Sequence, residues 1–336
     1  MKNVQERGMK MKKESNVSSD MSRRSFLAGI ASVGGLVATS RLPSFGGDQP
    51  ELFPDRGRFE RLSLTYHAIK AGATKPFTVL HISDTHLTAA YPDEGEFERK
   101  TAYRRIRTFG GRQEEALRDS IAWAKEHVDY LLHTGDLIDF QSRANFDLVK
   151  KYYGEGGEMM FGCLGNHEHY RGKKMAKKDG TPIVPAVVPD LLKEAYPFPN
   201  DFCSTVVNGV NFVTIDDSTD TVSADQASRF EAEVKKGLPI ILCMHCPFPT
   251  REIVRAASRF WRRADLKGIR DMGGFRESYK DATTRDFVAY LRAQPLLKGI
   301  LCGHGHLNVV DDFSPTAKQY EVAGNFMFCG QEFTFS

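Results

Sequence analysis

The chain has 336 residues, with 46 Lys and Arg against 43 Asp and Glu, so its formal net charge at pH 7 is +3. Hydrophobic residues make up 41% of the chain and charged residues 26%, which is ordinary for a protein that buries a large core and excludes wholesale disorder, collagen and a coiled coil. So small a net charge gives no reason to expect nucleic acid as a partner, and six cysteines in so long a chain exclude a disulfide scaffold.

The first forty residues have the pattern of an export signal. Residues 1–24 carry seven basic residues against three acids, and an uncharged run of thirteen residues, 26–38, follows. A bilayer-spanning helix needs about 20 apolar residues, so we interpret the run as the hydrophobic region of a signal and not as an anchor. The alternative is an exposed amphipathic helix. We expect no membrane span in the mature chain.

The junction before this run, residues 22–27, reads SRRSFL and resembles a twin-arginine (Tat) export signal. The resemblance implies that the N-terminus engages the Tat export machinery and that the protein is periplasmic or extracellular. We assign residues 1–40 to a Tat-type signal peptide, 41–57 to a linker and 58–336 to one domain. No clean cleavage site follows the run, so the point of cleavage stays open.

Apolar runs alternate with helical patterns from about residue 58 onward, which favours an α/β domain. In chain order, the predicted strands are residues 77–82, 130–133, 159–164, 239–244 and 299–302, and the predicted helices are 113–127, 142–153 and 284–293. The Asn208-Gly209 pair between two β-rich runs predicts a hairpin over residues 202–215. Residues 171–200, rich in Lys, Pro and Gly, are expected to be irregular.

Five short segments rich in Asp, His and Asn directly follow predicted strands. They read Asp84-Thr85-His86, Gly135-Asp136-Leu137-Ile138-Asp139, Gly165-Asn166-His167-Glu168, His245-Cys246-Pro247 and Gly303-His304-Gly305-His306. Because loops at the carboxyl ends of strands meet at one edge of an α/β sheet, the five segments can converge on one site. The glycines before Asp136, Asn166 and His304 are expected to permit tight turns.

The ligand types in these segments indicate transition metals. Imidazole, carboxylate and amide ligands without thiolate favour Mn, Fe or Zn over Ca or a structural cysteine-zinc site. Two such ions about 3.5 to 4 Å apart supply what phosphoester hydrolysis needs, which is a nucleophile at neutral pH and positive charge on the phosphoryl oxygens. The sequence therefore predicts two divalent ions of open identity and a small phosphorylated substrate.

The blocks DxH, GDxxD, GNH(E/D), H and GHxH occur here in the order found in the calcineurin-like metallophosphoesterase superfamily, which residues 58–336 resemble. The resemblance implies a four-layer α-β-β-α double-sheet sandwich. It also implies attack on phosphorus by a metal-bridging hydroxide, without a covalent enzyme intermediate. Seven ligands follow from it: one ion is held by Asp84, His86 and His306, a second by Asn166, His245 and His304, and Asp136 bridges them.

Two further roles follow from the resemblance. It implies that His167 is the general acid that protonates the leaving oxygen, or a charge on the non-bridging oxygens, and that Asp139 orients its imidazole. The alternative for Asp139 is a helix N-cap before residues 140 and 141. The purple acid phosphatases of the same superfamily carry a tyrosine in the second block and lack the DxH histidine, so a tyrosinate-bound iron site is disfavoured.

The substrate class stays open among phosphate monoesters, diesters and pyrophosphates, because specificity depends on loops such as residues 87–112, 170–200 and 248–282. A catalytically silent metal-binding scaffold with the same fold is an alternative of a different class. The presence of every ligand type and of His167 counts against it.

Two other patterns have less specific interpretations. Arg251, Arg255, Arg259 and Arg262 recur at helical spacing, either as a solvated helix face or as a helix over the metals that attracts phosphorylated substrate. The CxxC at residues 243–246 closes a strand instead of opening a helix, so redox function is not expected.

Overall fold

The computed structural model describes residues 59–170, 190–261 and 282–336. All of them belong to the compact unit Asp48–Ser336. The expected Tat-type signal and linker, residues 171–189 of the expected irregular stretch, and Arg262 lie outside the described residues. Within the described ranges, every helix is too short or too polar to cross a bilayer.

The described ranges contain strands and helices in alternation. The strands are β1 Ser63–Ile69, β2 Phe77–Ile82, β3 Tyr130–Thr134, β4 Met160–Cys163, β5 Phe202–Val207, β6 Val210–Ile215, β7 Ile240–Cys243, β8 Leu297–Cys302, β9 Val309–Asp312, β10 Lys318–Glu321 and β11 Cys329–Phe335. The helices are α1 Glu96–Thr108, α2 Gln113–His127, α3 Arg143–Gly156, α4 Asp190–Ala195, α5 Ala224–Val234, α6 Arg251–Phe260 and α7 Ala282–Ala293. Each predicted strand, helix and hairpin is present, and some of their ends differ by a few residues.

The strands form two sheets, with the orders β1-β11-β2-β3-β4 and β5-β6-β7-β8-β10-β9. In the first sheet β2, β3 and β4 run parallel to one another, and in the second sheet β7 runs parallel to β8. Parallel neighbours end at the same edge of a sheet, so the five loops that follow these strands can lie together.

Side chains alternate between the two faces of the central strands, and this alternation produces four layers. In the first sheet Leu80 packs with α2 and α3, whereas Val79 faces the core between the sheets. In the second sheet Leu242 packs with α5 and α7, whereas Ile241 faces the same central core. The fold is therefore the α-β-β-α double-sheet sandwich that the resemblance implies.

The prediction that residues 171–200 are irregular is wrong at Asp190–Ala195, because these six residues form helix α4. Leu192 and Ala195 of this helix are buried in the core between the first sheet and its helices. So short a helix is marginal alone, and burial of an apolar face stabilises it here.

Candidate metal centre

Five loops at the carboxyl ends of β2, β3, β4, β7 and β8 bring the predicted ligands together. Five of the ligands have left-handed backbone conformations, with φ between 53° and 72°: Asp84, His86, Asp136, His304 and His306. A residue other than glycine adopts this conformation at a cost of about 1 to 3 kcal/mol, and such strain is concentrated at functional sites. Five of the eight non-glycine residues with positive φ in the described ranges are thus residues whose side chains converge.

The first cluster consists of Asp84, His86 and His306. The Nε2 atoms of the two imidazoles are 3.1 Å apart, and His306 Nε2 lies 3.3 Å from Asp84 Oδ1. This carboxylate oxygen is buried and accepts no hydrogen bond, whereas Oδ2 accepts the backbone N–H of His304 at 2.9 Å. A buried carboxylate oxygen without a hydrogen bond lowers the free energy of unfolding unless another group binds it. Its position among imidazole nitrogens therefore fits that of a metal ligand.

The second cluster combines Asp136, His245 and His304 with the amide of Asn166. Asn166 Oδ1 lies 3.1 Å from His245 Nε2 and 2.9 Å from His304 Nδ1. Asp136 Oδ2 lies 3.2 Å from His245 Nε2 and also 3.7 Å from His86 Nε2 of the first cluster. Asp136 is therefore located between the two clusters, where a shared carboxylate would have to be.

All seven predicted ligands thus lie in one of the two clusters. The donor atoms are imidazole nitrogens, carboxylate oxygens and an amide oxygen, which is the set that Mn, Fe or Zn accepts. Together with the unpaired Asp84 oxygen, this set fits two divalent ions.

Asp139 is a buried carboxylate that contacts three titratable or charged side chains. Its Oδ1 lies 3.1 Å from His167 Nδ1 and 3.2 Å from His86 Nδ1. Arg105 of α1 donates to both oxygens, from Nε to Oδ2 at 2.6 Å and from Nη2 to Oδ1 at 2.7 Å. The N-cap alternative for Asp139 is wrong, because the side chain of Ser142 caps α3.

His167 lies at the edge of the clusters with its side chain 24% exposed. Its Nδ1 is 2.8 Å from the backbone oxygen of Asp139, and its backbone N–H donates to Asp136 Oδ1 at 2.8 Å. Burial lowers the pKa of His167, but the Asp136 and Asp139 carboxylates outweigh burial and raise the pKa to about 9. With Asp136 carrying its full charge, the ring is therefore protonated at neutral pH, and Nε2 is the nitrogen that can donate a proton.

Glu168 is a fully buried carboxylate that holds two ligand loops together. Its oxygens accept hydrogen bonds of 2.7 to 3.2 Å from the backbone N–H groups of Gly165, Asp136, Leu137 and Ile138 and from the hydroxyl of Tyr196. Burial raises the pKa of Glu168, and the Asp136 carboxylate adds to the shift. The sequence includes Glu168 in a motif, but the spacing alone does not indicate this contact between loops.

A second buried carboxylate, Asp217, is not among the residues that the sequence indicates. It follows β6 and accepts the backbone N–H groups of His245 at 2.9 Å and Cys246 at 3.0 Å. Burial raises the pKa of Asp217 to about 7, against the effect of the His245 ring and of these hydrogen bonds. The signal that could have indicated it is an Asp216-Asp217 pair directly after a strand.

The glycines before the ligands are needed for two different reasons. Gly135 has φ +87°, so the expected tight turn is present there. A Cβ on Gly165 would collide with Asp136, and a Cβ on Gly303 would collide with Asp84. These two glycines are therefore required by the close approach of neighbouring loops.

Helix α6 is the helix predicted from the arginine spacing. Its apolar face packs against the segment that follows His306. Arg251, Arg255 and Arg259 are exposed, and Arg255 pairs with Glu252 at 2.8 Å. Exposure of these arginines is expected of both alternatives, a solvated helix face and a helix over the metals that attracts phosphorylated substrate.

The cysteines of the CxxC segment, Cys243 and Cys246, are buried and free. Burial raises the pKa of both thiols, which disfavours the reactive thiolate. This agrees with the expectation of no redox function.

The geometry can be compared with known families of proteins. The profile of the calcineurin-like phosphoesterases matches residues 77–308, which is more than half of the chain. The chain belongs to the calcineurin-like phosphoesterase family. No curated protein matches it by sequence.

Several solved structures are similar to this calcineurin-like phosphoesterase. A dimetal phosphatase from Danio rerio is 16% identical, with 75% of this chain and 88% of that chain covered and a TM-score of 0.40. A purple acid phosphatase from yellow lupin (Lupinus luteus) is 12% identical, with 76% and 45% covered and a TM-score of 0.45. A phosphoesterase from E. coli is 9% identical, with 74% and 80% covered and a TM-score of 0.31. The family assignment and the two clusters together support a metal-dependent phosphoesterase.

Proposed function

We propose that the protein hydrolyses phosphate mono- or diesters with two divalent metal ions and with His167 as the general acid. The observation that carries this proposal is the convergence of seven candidate ligands, Asp136 among them, from loops of both sheets, with the His167 imidazole at their edge. When bound, the two ions supply an activated water as the nucleophile and positive charge on the phosphoryl oxygens.

The ligand roles divide between the two clusters. One ion is held by Asp84, His86 and His306, and the other by Asn166, His245 and His304, with Asp136 shared. Two contacts support this division: the unpaired Asp84 oxygen lies among imidazole nitrogens, and Asp136 Oδ2 lies within 4 Å of nitrogens from both clusters.

His167 protonates the leaving oxygen, and Asp139 orients its ring. The partial exposure of His167 supports this role, because a general acid has to reach a substrate that arrives from solvent. The contact of Asp139 with Nδ1 leaves Nε2 as the nitrogen that gives up the proton.

The deciding experiment is metal analysis of the purified protein together with a substrate panel. The panel contains p-nitrophenyl phosphate, bis(p-nitrophenyl) phosphate and pyrophosphate, each assayed with added Mn, Fe(II) or Zn. We expect two ions per chain, turnover that chelator abolishes and metal restores, and a preference for the mono- or the diester. Asp136→Asn serves as the inactive control.

Two outcomes would contradict the proposal. Two bound ions without turnover of any compound would indicate a catalytically silent scaffold. A clear preference for pyrophosphate would indicate a pyrophosphohydrolase.

We propose that residues 1–40 are a Tat-type export signal that directs the protein to the periplasm or the extracellular space. The Arg23-Arg24 pair before the uncharged run supports it. Replacing both arginines by lysine should leave the uncleaved precursor in the cytoplasm, measured by cell fractionation and immunoblotting. Unchanged export of this double variant would contradict a twin-arginine signal.

A further inference from the structure

Arg105 is a residue of α1 that no sequence motif indicates, and it makes a two-point ion pair with Asp139. The two contacts are 2.6 and 2.7 Å long, and the Arg105 side chain is 25% exposed whereas Asp139 is fully buried. A planar guanidinium bound to both carboxylate oxygens fixes the carboxylate in position and in rotation.

The guanidinium is itself held on one of its faces. Its carbon lies 4.8 Å from the centre of the Phe109 ring. Phe109 in turn stacks on His86, with ring centroids 4.3 Å apart and planes within 8° of parallel. Arg105 is therefore fixed by both an ion pair and an aromatic contact, and the same aromatic ring supports a proposed metal ligand.

The carboxylate of Asp139, held in this way, orients the imidazole of the proposed general acid His167. Its Oδ1 accepts from Arg105 and lies 3.1 Å from Nδ1 of His167. Without the guanidinium, the buried carboxylate would keep only imidazole partners and could rotate away from His167. Misplacing a catalytic group by a fraction of an ångström is costly, because proton transfer requires hydrogen-bond geometry.

Three side chains at this point, His86, Asp139 and His167, could also hold a metal ion, because their donor atoms lie within 4.8 Å of one another. A cation there would share the Asp139 carboxylate with the guanidinium of Arg105 and would be repelled by it. The ion pair therefore favours a positioning network at this point over a third metal ion.

We propose that Arg105 is a positioning residue for leaving-group protonation, acting through Asp139 on His167. As a water oxygen bonds to phosphorus, the P–O bond to the leaving group breaks and its electron pair goes to the leaving oxygen. That oxygen takes the proton from His167 Nε2, while Asp139 stays ionised and Arg105 stays paired with it. This inference rests on the proposed function.

The test compares esters that differ in their need for protonation. An alkyl alcohol is a poor leaving group and requires the acid, whereas p-nitrophenol leaves without it. The pair is p-nitrophenyl phosphate against ethyl phosphate, or bis(p-nitrophenyl) phosphate against diethyl phosphate if only diesters turn over. The variants are Arg105→Met, Arg105→Lys and His167→Ala, with Arg104→Met as the control because Arg104 is an exposed arginine of the same helix.

We expect Arg105→Met to lower kcat for the alkyl ester by about 100-fold and for the aryl ester by less than about 10-fold, with KM unchanged. Metal content, measured by atomic emission, should stay at two ions per chain. Arg105→Lys and added guanidinium ions should each restore part of the alkyl activity, and Arg104→Met should behave as the unaltered protein.

Three outcomes would overturn the inference. A raised KM with kcat unchanged would show that Arg105 binds substrate. Equal losses on both esters, or lost metal, would show a structural role. If activity on the alkyl ester alone is lost in His167→Ala but not in Arg105→Met, only the positioning role of Arg105 fails. If neither variant shows this loss, the general acid of the proposed function fails as well.

Discussion

The protonation state of His167 depends on its two carboxylate neighbours. Nε2 of the ring lies 4.0 Å from Asp136, and Nδ1 lies 3.1 Å from Asp139. Burial lowers the pKa, and the two negative charges raise it to about 9. A raised pKa keeps the charged form up to higher pH, so the proton is present through the neutral range. Ions held by Asp136 would neutralise part of its charge, so they would lower the pKa of His167 from this value and would leave Asp139 as the main partner of the ring.

We therefore expect turnover of an alkyl ester to fall with rising pH as His167 loses its proton. His167→Ala should lower that turnover by about 10²- to 10⁴-fold and remove this fall, while both ions stay bound. The measurement is kcat against pH, with metal analysis of each protein. Lost metal, or a fall with rising pH that persists in the variant, would contradict the assigned role.

At the scale of elements, the ligand loops are shaped by acceptors buried beneath them. Glu168 joins the loop after β3 to the loop after β4, and Asp217 holds the loop after β7. Each carboxylate satisfies backbone N–H groups that a short strained loop cannot pair within itself. The left-handed conformation of Asp136 is stabilised by its contact with Glu168.

Glu168→Gln is expected to weaken this arrangement with little change of shape. The amide NH₂ of glutamine would face backbone N–H donors, and leaving buried donors unpaired costs about 1 to 3 kcal/mol for each group. We expect a lower free energy of unfolding, measured by denaturant titration of the chelated protein, and weaker binding of Mn, measured by calorimetry.

The matched control for this variant is Glu158→Gln, since Glu158 is exposed. Equal stability of the two variants would show that Glu168 does not hold the loops.

Elements with an apolar run or an apolar stripe can be predicted from the sequence, whereas elements without one cannot. The apolar run of β2 and the spacing of α2 predict the bounds that the structure has. Strand β11 carries Gln331 and Glu332 and pairs with β1 and β2, more than 240 residues away, so no local pattern indicates it. Helix α1 buries only Thr101, so it has no apolar stripe.

The same distinction applies to the site. The seven proposed ligands lie in short motifs at strand ends, where the sequence indicates them directly. Arg105 reaches Asp139 from a helix 34 residues earlier in the chain, and Asp217 acts on a loop after another strand. Such contacts form only when distant elements pack together, so the spacing of residues along the chain does not show which side chains will meet.

At the scale of the whole molecule, the candidate centre joins the two sheets. Four ligands follow strands of the first sheet, namely Asp84, His86, Asp136 and Asn166, and three follow strands of the second, namely His245, His304 and His306. Without ions, the buried Asp84 and Asp136 carboxylates repel each other, and the Asp84 oxygen stays unpaired. Ions that bind only the folded chain should therefore stabilise both sheets together.

We expect added Mn or Zn to raise the melting temperature of the chelated protein. A ligand at 100 times its Kd stabilises the folded state by about 2.7 kcal/mol, which is roughly 5 °C for a domain of this size. Calorimetry at increasing metal concentration measures the shift, with Asp136→Asn as the control. The variant should lose most of the shift, because a bridging carboxylate serves both ions. An equal shift in the variant would place the stabilising ions elsewhere, whereas two separate transitions would mean that the ions do not couple the sheets.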